Sequence, residues 1–465
     1  MSEQAIVAGL IARARIAQAE FAGWSQSRVD EAVAAAAWAI LEPGRNRELA
    51  ELAVRDTGLG VVADKVRKNH RKTLGLLRDL QGAITVGVIK QDASSGITEI
   101  ARPVGVVAAI TPSTNPGATP ANNLINALKG GNAIILAPSP KGASTCARLL
   151  EFVHAELARL GAPQSLVQQL PPPGSKALVG ELMRQADLVV ATGSKANVEA
   201  AYRSGTPALG VGVGNVAAIV LPTADPEMAA QRIATSKTFD NATSCSSENS
   251  LVVIDAAWPK LLAALQQAGG VLVPAVDKPA LEKTLFPGGK LAASVVAQSA
   301  TEIARQAGLT AAVYTNARFL LVEESGVGAD FPLSGEKLSP VLAVYRVADF
   351  DAALRLVRQI YDFQGKGHSV GVHGANEAQL LRLGQELPVC RVIADQVHCY
   401  AVGGSFDNGL PFSLSMGCGT WGGNGFSDNL NIRHFLNITR IVRPIAERVP
   451  SVEDLLGDYW RQYGQ

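Results

Sequence analysis

Residues 104–138 read VGVVAAITPSTNPGATPANNLINALKGGNAIILAP. Two short, nearly continuous apolar runs, 104–110 and 133–137, stand at its ends, the pattern of strands buried on both faces. Further runs of the same kind follow at 166–170, 188–191 and 217–221, with helical stretches such as 146–160 between them. Alternation of buried strands and helices predicts a parallel sheet covered on both sides, an α/β fold. The pattern restarts after Pro222, with strand candidates at 251–254, 311–314, 341–345, 369–372 and 391–394. A boundary is therefore expected near residue 221. A chain of 465 residues is also too long for one ordinary core.

The first 80 or so residues read as helices. Val29, Val33, Ala37 and Ile40 lie at helical spacing, with Ser27 and Asp30 as a candidate capping box. A second helix carrying Leu49 and Leu52 should stop near Gly58 and Gly60. Two β-like runs, 83–88 and 97–101, flank the turn-forming residues Asp92 to Gly96, a hairpin expected to project from the body. Near the other end, 403–429 is rich in Gly, Ser and Asn and lacks periodicity, so it reads as a long ordered loop.

Composition excludes several classes. Lys plus Arg number 42 and Asp plus Glu 41, so no net charge draws the chain to nucleic acid or to an anionic membrane. No apolar run approaches the ~20 residues that span a bilayer. Met1 to Phe21 carries acidic residues and no continuous apolar segment, which does not read as a signal peptide. The cysteines Cys146, Cys245, Cys390, Cys399 and Cys418 are odd in number and scattered, which fits neither a disulfide framework nor a metal site. A cytoplasmic location is expected.

Cys245 is the sharpest single feature. It sits in the polar stretch Asn241-Ala242-Thr243-Ser244-Cys245-Ser246-Ser247, running into the strand at 251–254. A thiol at the mouth of a strand among hydroxyl side chains has the access and the donors that a nucleophile needs. A small buried hydrophobe fits the same local sequence. The glycines of Gly210-Val211-Gly212-Val213-Gly214 precede a strand, whereas a dinucleotide fingerprint follows one, so they say only that something approaches the backbone closely. Thr111 to Pro116 follow the strand at 104–110, where ligands bind in open α/β sheets, and Asn115 carries an amide able to donate to an oxyanion. A turn residue before proline is the plainer reading of Asn115.

Taken in order, these pieces resemble the CoA-acylating branch of the aldehyde dehydrogenase superfamily. The resemblance is carried by Pro103–Val106 with Pro112–Pro116, by Ala191–Ser194, by Gly210–Asn215, and by Asp240-Asn241 ahead of Cys245 and Glu248. It continues through Glu336 with Pro340–Leu342, Gly365–Ser369, and Gly417–Asn424. It implies a Rossmann-like cofactor domain (1–82 and 102–221), an α/β catalytic domain (222–410), and an oligomerisation element (83–101 and 425–465). It also implies a homodimer or homotetramer. Cys245 would attack the aldehyde, Asn115 would hold the oxyanion, and His368 would take the proton of the incoming thiol. The resemblance carries over cofactor contacts at Thr111, Pro112, Ser113, Asn115, Ser139, Lys141, Gly174, Thr192, Gly193, Ser194, Gly212, Gly214 and Glu336. It implies no metal. His434 also recurs in the family's C-terminal segment.

Where hydrolytic relatives carry a glutamate that activates water, this chain has the carboxylate-free stretch 209–215. That departure favours coenzyme A over water as the acyl acceptor, because a thiol needs no strong base. Pro140 followed by Lys141 would tolerate a 2′-phosphate, so the resemblance leaves NADP or NAD open with a lean to NADP. Residues 429–440 (NLNIRHFLNITR) and the short N-terminus liken the chain to members acting on sulfoacetaldehyde, and the lack of an N-terminal extension argues against a shell-associated propanal or ethanal enzyme. Two rivals remain: a dehydrogenase that releases the free acid, and a redox-inactive cysteine acyltransferase or thioesterase.

Overall fold

The computed structural model describes residues 2–464. Four helices open the chain: α1 (Glu3–Phe21), α2 (Gln26–Leu41), α3 (Pro43–Thr57) and α4 (Val62–Leu80). Ser2 and Ser25 cap the first two, accepting the backbone N–H groups of Ala5 and Arg28 at 3.2 and 3.4 Å. The cap of α2 is thus Ser25 and not Ser27, which already lies in the first turn. Asp30, its expected partner, instead accepts from the Lys129 ammonium at 2.5 Å. Gly58 ends α3 at φ +70°, a left-handed conformation that a β-carbon disfavours.

The hairpin is β1 (Gly87–Asp92) and β2 (Ile97–Pro103), paired antiparallel. Its first strand starts where the apolar run 83–88 ends and continues through polar residues, because neither face of it is buried. Asp92 closes the turn by accepting from the Ser94 N–H at 2.9 Å and the Ser94 hydroxyl at 2.7 Å.

The first large sheet follows as β3 (Val106–Thr111), α5 (Ala118–Lys129), β4 (Ala133–Pro138), α6 (Ala143–Ala158), β5 (Val167–Gln169), α7 (Lys176–Gln185), β6 (Leu188–Thr192), α8 (Lys195–Arg203) and β7 (Ala208–Val211). All its pairings are parallel and its order is β5-β4-β3-β6-β7. The chain moves outward from β3 to β5, then returns to place β6 on the other side of β3. That reversal opens a crevice at the carboxyl ends of β3 and β6.

The second sheet is built from β8 (Val216–Val220), α9 (Pro226–Thr238), β9 (Glu248–Ile254), α10 (Trp258–Gln267), β10 (Gly270–Leu272), α11 (Lys278–Leu285), α12 (Ala300–Gln306), β11 (Phe319–Glu323), β12 (Val341–Val347), α13 (Phe350–Phe363), β13 (Val370–His373), α14 (Glu377–Glu386), β14 (Val392–Ala394) and α15 (His398–Ala401). Its order is β10-β11-β12-β9-β8-β13-β14, again parallel throughout. Along β8, Ala217 and Ile219 enter one core while Ala218 and Val220 enter the other, the period-two alternation of a strand buried on both faces.

Two expectations are corrected here. The boundary expected near residue 221 places the run 217–221 in the first sheet, yet β8 pairs with β9 and β13, so the crossing from one sheet to the other falls between Val211 and Val216. The expected strand at 311–314 is a turn of 3-10 helix, Ala312–Tyr314, pinned by the Tyr314 hydroxyl donating to Asp277 at 2.7 Å. The strand of that region is β11, five residues further on. A four-residue apolar run has no period by which to tell a strand from a buried turn.

The chain ends with β15 (Leu436–Val442), which pairs antiparallel with β2, and α16 (Val452–Tyr463). The hairpin and the C-terminal segment thus share one three-stranded sheet. Among the described residues, no helix is long and apolar enough to cross a membrane.

Candidate active site

The carboxyl ends of the first sheet face the amino ends of the second across a cavity of about 290 Å³. The first sheet contributes Pro112 to Asn115 after β3 and Thr192 to Ser194 after β6. The second contributes Val211 to Val213 ahead of β8, Thr243 to Ser246 ahead of β9, and Glu336 ahead of β12. The long loop after α15 supplies Gly403, Ser413, Leu414 and Met416. Cys245, Asn115 and Glu336 therefore share one cleft, although 221 residues separate the first from the last in sequence (336 − 115).

The glycine run has a specific steric role. A β-carbon on Gly214 would lie 2.4 Å from the Cys245 carbonyl oxygen and 3.0 Å from its Cβ. Only glycine lets the crossing strand lie against the cysteine loop.

That loop is held in an unusual shape. Asp240, Asn241 and Ala242 have φ of 50°, 51° and 57°, each costing roughly 1–2 kcal/mol for a residue with a β-carbon. The neighbouring helix offsets this. The Asp240 carboxylate accepts from the Val61 N–H at 2.8 Å, from Lys65 Nζ at 3.1 Å and from Lys68 Nζ at 2.6 Å. Asp64 accepts the Asp240 N–H at 2.9 Å, and Thr243 donates its hydroxyl to Asp240 at 2.7 Å. Burial would raise the Asp240 carboxyl, but Lys68 and Lys65 outweigh it and hold the group below its ordinary range. Burial brings Lys65 down to about 8 despite the carboxylate beside it.

Lys68 also fixes Asn115. Its Nζ donates to Asn115 Oδ1 at 2.8 Å. An ammonium can only donate, so the amide atom turned towards it must be the oxygen. The Nδ2 donors then face away from Lys68.

Burial pushes the Cys245 thiol up to about 12, and Glu336 and Cys418 add to this; the Ser246 hydroxyl and the Cys245 N–H pull the other way. Glu336 rises to about 8, chiefly through burial, against the Gly214 N–H and two lysines. Its Oε1 is buried without a hydrogen-bond partner.

The expected residues fall into three groups. Pro112, Ser113, Asn115, Thr192, Gly193, Ser194, Gly212, Cys245 and Glu336 line the cleft. Thr111 and Gly214 lie directly behind its wall, while Ser139, Lys141 and Gly174 follow β4 and β5 outside it. His368 is not brought to the cleft. It is wholly buried; its Nδ1 pairs with the Ser369 hydroxyl at 2.8 Å and its Nε2 has no partner. Burial, with Arg391 and His398 nearby, pushes it down to about 3, which makes it a weak base. The Gly365–Ser369 turn aims its histidine inward because Gly367 packs on the loop after α15: a β-carbon there would meet the Cys418 carbonyl at 1.9 Å. His434 accepts a packing role, bridging Asp428 and Asn431.

The aldehyde dehydrogenase family model matches residues 1–317. The chain belongs to the aldehyde dehydrogenase family. It is 65% identical over 459 residues to the sulfoacetaldehyde dehydrogenase (acylating) of Cupriavidus necator, covering 99% of this chain and 93% of that one. It is 40% identical to the enzyme of that name from Bilophila wadsworthia, over 97% of this chain and 98% of the relative. The crystal structure of an acetylating aldehyde dehydrogenase from Geobacillus thermoglucosidasius superposes with a TM-score of 0.92 at 34% identity, over 97% and 98% of the two chains.

In this aldehyde dehydrogenase, sequence reasoning missed the lysines of α4. Lys65, Lys68 and Lys72 recur at helical spacing on one face and are each under a tenth exposed. The signal was present as a cationic stripe, but lysines are ordinarily solvated and nothing local says otherwise.

Proposed function

We propose that this aldehyde dehydrogenase is acylating, and that it oxidises sulfoacetaldehyde with NADP+ or NAD+ and coenzyme A to the acyl-CoA through a thioester on Cys245. The observation that carries the reading is the shared cleft of Cys245, Asn115 and Glu336, closed on one side by a segment without a carboxylate. The likeness to two acylating sulfoacetaldehyde dehydrogenases supports the substrate.

The residues fit a nicotinamide dinucleotide. The carboxyl ends of β3, β4 and β6 converge with the N-terminus of α8, capped by Ser194, and such helix starts suit a pyrophosphate. The buried, unpartnered Oε1 of Glu336 suits a ribose hydroxyl. Bound there, the nicotinamide supplies the acceptor for the hydride that leaves the aldehyde carbon.

The protein does the rest. Cys245 loses its proton to solvent, attacks the carbonyl as the thiolate and forms a thiohemiacetal. The developing oxyanion takes hydrogen bonds from Asn115 Nδ2 and the Cys245 N–H, donors already fixed in place by Lys68 and by the Asp240 loop. Oxidation leaves the thioester. The thiol of coenzyme A then displaces Cys245, whose sulfur departs as the leaving group and ends up holding the proton that the thiol gives up. His368 is buried outside the cleft lining and pushed down to about 3, so the thiol's proton is not assigned to it.

The sheet shared by β1, β2 and β15, with the exposed Leu455, Leu456 and Tyr459 of α16, offers the surface for a homodimer or homotetramer. All five cysteines are free, which suits the reducing cytoplasm.

The test follows nicotinamide reduction at ~340 nm with sulfoacetaldehyde and a panel of short aldehydes, with and without coenzyme A. Turnover only with coenzyme A, yielding acyl-CoA, is expected. Equal turnover without it, yielding free acid, would mean that another group, Glu336 foremost, activates water.

A further inference from the structure

The cleft holds a second charged side chain besides Glu336, and the mechanism above leaves it unused. Lys72 lies one turn beyond Lys68 on α4 and lines the same cavity as Cys245. It is 8% exposed. Its Nζ donates to the Gly403 carbonyl at 2.6 Å and reaches the Gly404 carbonyl at 3.4 Å. It forms no ion pair among the described residues. A β-carbon on Gly403 would meet that Nζ at 2.6 Å, so the glycine makes room for the amine.

A buried ammonium with only carbonyls as partners is costly unless a counter-charge arrives. Burial, with Arg71 beside it, brings Lys72 down to about 7, so an anion in the cavity would be repaid by restoring the charge. Thr119 lines the cavity with it and offers a hydroxyl donor, while the Ser413 hydroxyl is already given to the Ser415 carbonyl at 3.1 Å. Among the described residues, Glu336 alone brings a carboxylate to the cavity lining. This end of the cleft has the chemistry of an anion subsite.

We infer that Lys72 is the specificity residue of this enzyme: its ammonium, held by Gly403 and Gly404, recognises an anionic group on the short tail of the aldehyde. The inference rests on the reading that the substrate carries a sulfonate, and it names the side chain that selects it. A neutral aldehyde of the same length leaves the amine unpaired and forfeits that contact, whereas its carbonyl still reaches Cys245 and Asn115.

The experiment compares the wild-type enzyme with Lys72→Met and Lys72→Gln. Each is assayed with sulfoacetaldehyde, succinic semialdehyde and propanal at saturating coenzyme A and nicotinamide cofactor. The readout is the ratio of kcat/KM for the anionic aldehyde to that for propanal on one preparation, which a partly unfolded sample leaves unchanged. In Lys72→Met the sulfoacetaldehyde ratio should fall roughly 30-fold or more, the value of one charged hydrogen bond, and mainly through KM. Lys72→Gln keeps a donor for Gly403 and should fall between. A parallel fall with succinic semialdehyde identifies a general anion subsite; no fall there identifies one shaped for sulfonate. Ratios within two-fold of wild type for both anionic substrates in both variants would overturn the inference. A wild-type enzyme that uses propanal but not sulfoacetaldehyde would instead overturn the substrate reading, and the succinic semialdehyde arm would still test Lys72.

Discussion

The two walls of the cleft are built alike and behave differently. Both are ends of parallel sheets, one showing carboxyl ends and the other amino ends. The wall after β3 and β6 is made of Pro112, Ser113, Thr114, Asn115, Thr192, Gly193 and Ser194, with no ionisable side chain. The wall ahead of β8, β9 and β12 carries Cys245 and Glu336, both pushed towards protonation by burial. One wall offers shape and dipoles for binding; the other holds the groups that change charge. Asn115 is the exception, a residue of the first wall tied to the second through Lys68 and Asp240.

Substitutions should separate along that line. Cys245→Ser should lose roughly 10³-fold or more in kcat, since a serine hydroxyl without a base is a far weaker nucleophile. Stopped-flow and steady-state rates would measure this, and residual turnover within ten-fold would break the division of labour. Asn115→Ala should lose about 10²- to 10³-fold in kcat, the value of an oxyanion donor, with cofactor KM little changed. A loss confined to cofactor KM would return Asn115 to the binding wall.

Lys68→Met tests the tie between the walls. It frees Asn115 to rotate and leaves Asp240 with Lys65 alone. We expect a fall in kcat of about ten-fold or more, with a loss of roughly 3 kcal/mol in unfolding free energy from the unbalanced buried charge, read by urea titration. Lys68→Arg should recover stability better than kcat, because its fork does not reproduce a single ammonium's geometry. Equal recovery of both would mean that Lys68 only supports the fold.

The second wall should also show its charge state directly. With burial raising Cys245 to about 12, the reactive thiolate should be a small minority of the free enzyme at pH 7 and grow about ten-fold per pH unit. Alkylation of the cofactor-free enzyme by iodoacetamide should therefore climb about ten-fold per unit between pH 7 and 9 without a plateau. A plateau near pH 7 would mean that the loop lowers the thiol instead. The smallest effect is expected outside the cleft: Lys141→Ala should weaken NADP relative to NAD by about three-fold, the scale of an exposed charge contact.

Much of this was legible in the sequence. The β3–α5–β4 unit stands in a local pattern, because buried parallel strands are continuously apolar and their ends carry the loops; Cys245 and Asn115 are singled out by the resemblance, since locally they read equally as a buried hydrophobe and a turn residue. What was not legible depended on which elements meet. The run 217–221 looks the same whether it joins β6 or β9, and only hydrogen bonding to Val370 and Ser250 decides. His368 and Cys245 each precede a strand of the second sheet, but Gly367 packs the histidine away under the loop after α15. Lys68 and Lys72 show in the sequence only as members of a lysine stripe, since the partners that bury them lie 172 and 331 residues further along the chain.

The central claim, a thioester on Cys245 that only coenzyme A discharges, can be examined by intact-protein mass spectrometry. The enzyme is mixed with sulfoacetaldehyde and oxidised cofactor without coenzyme A, quenched in acid, and weighed before and after coenzyme A is added. The account predicts one acyl adduct per chain, mapped to the peptide containing Cys245, which persists until coenzyme A converts it to an equal amount of acyl-CoA. Loss of the adduct as free acid before coenzyme A is added, or no adduct at Cys245 while aldehyde is oxidised, would contradict it.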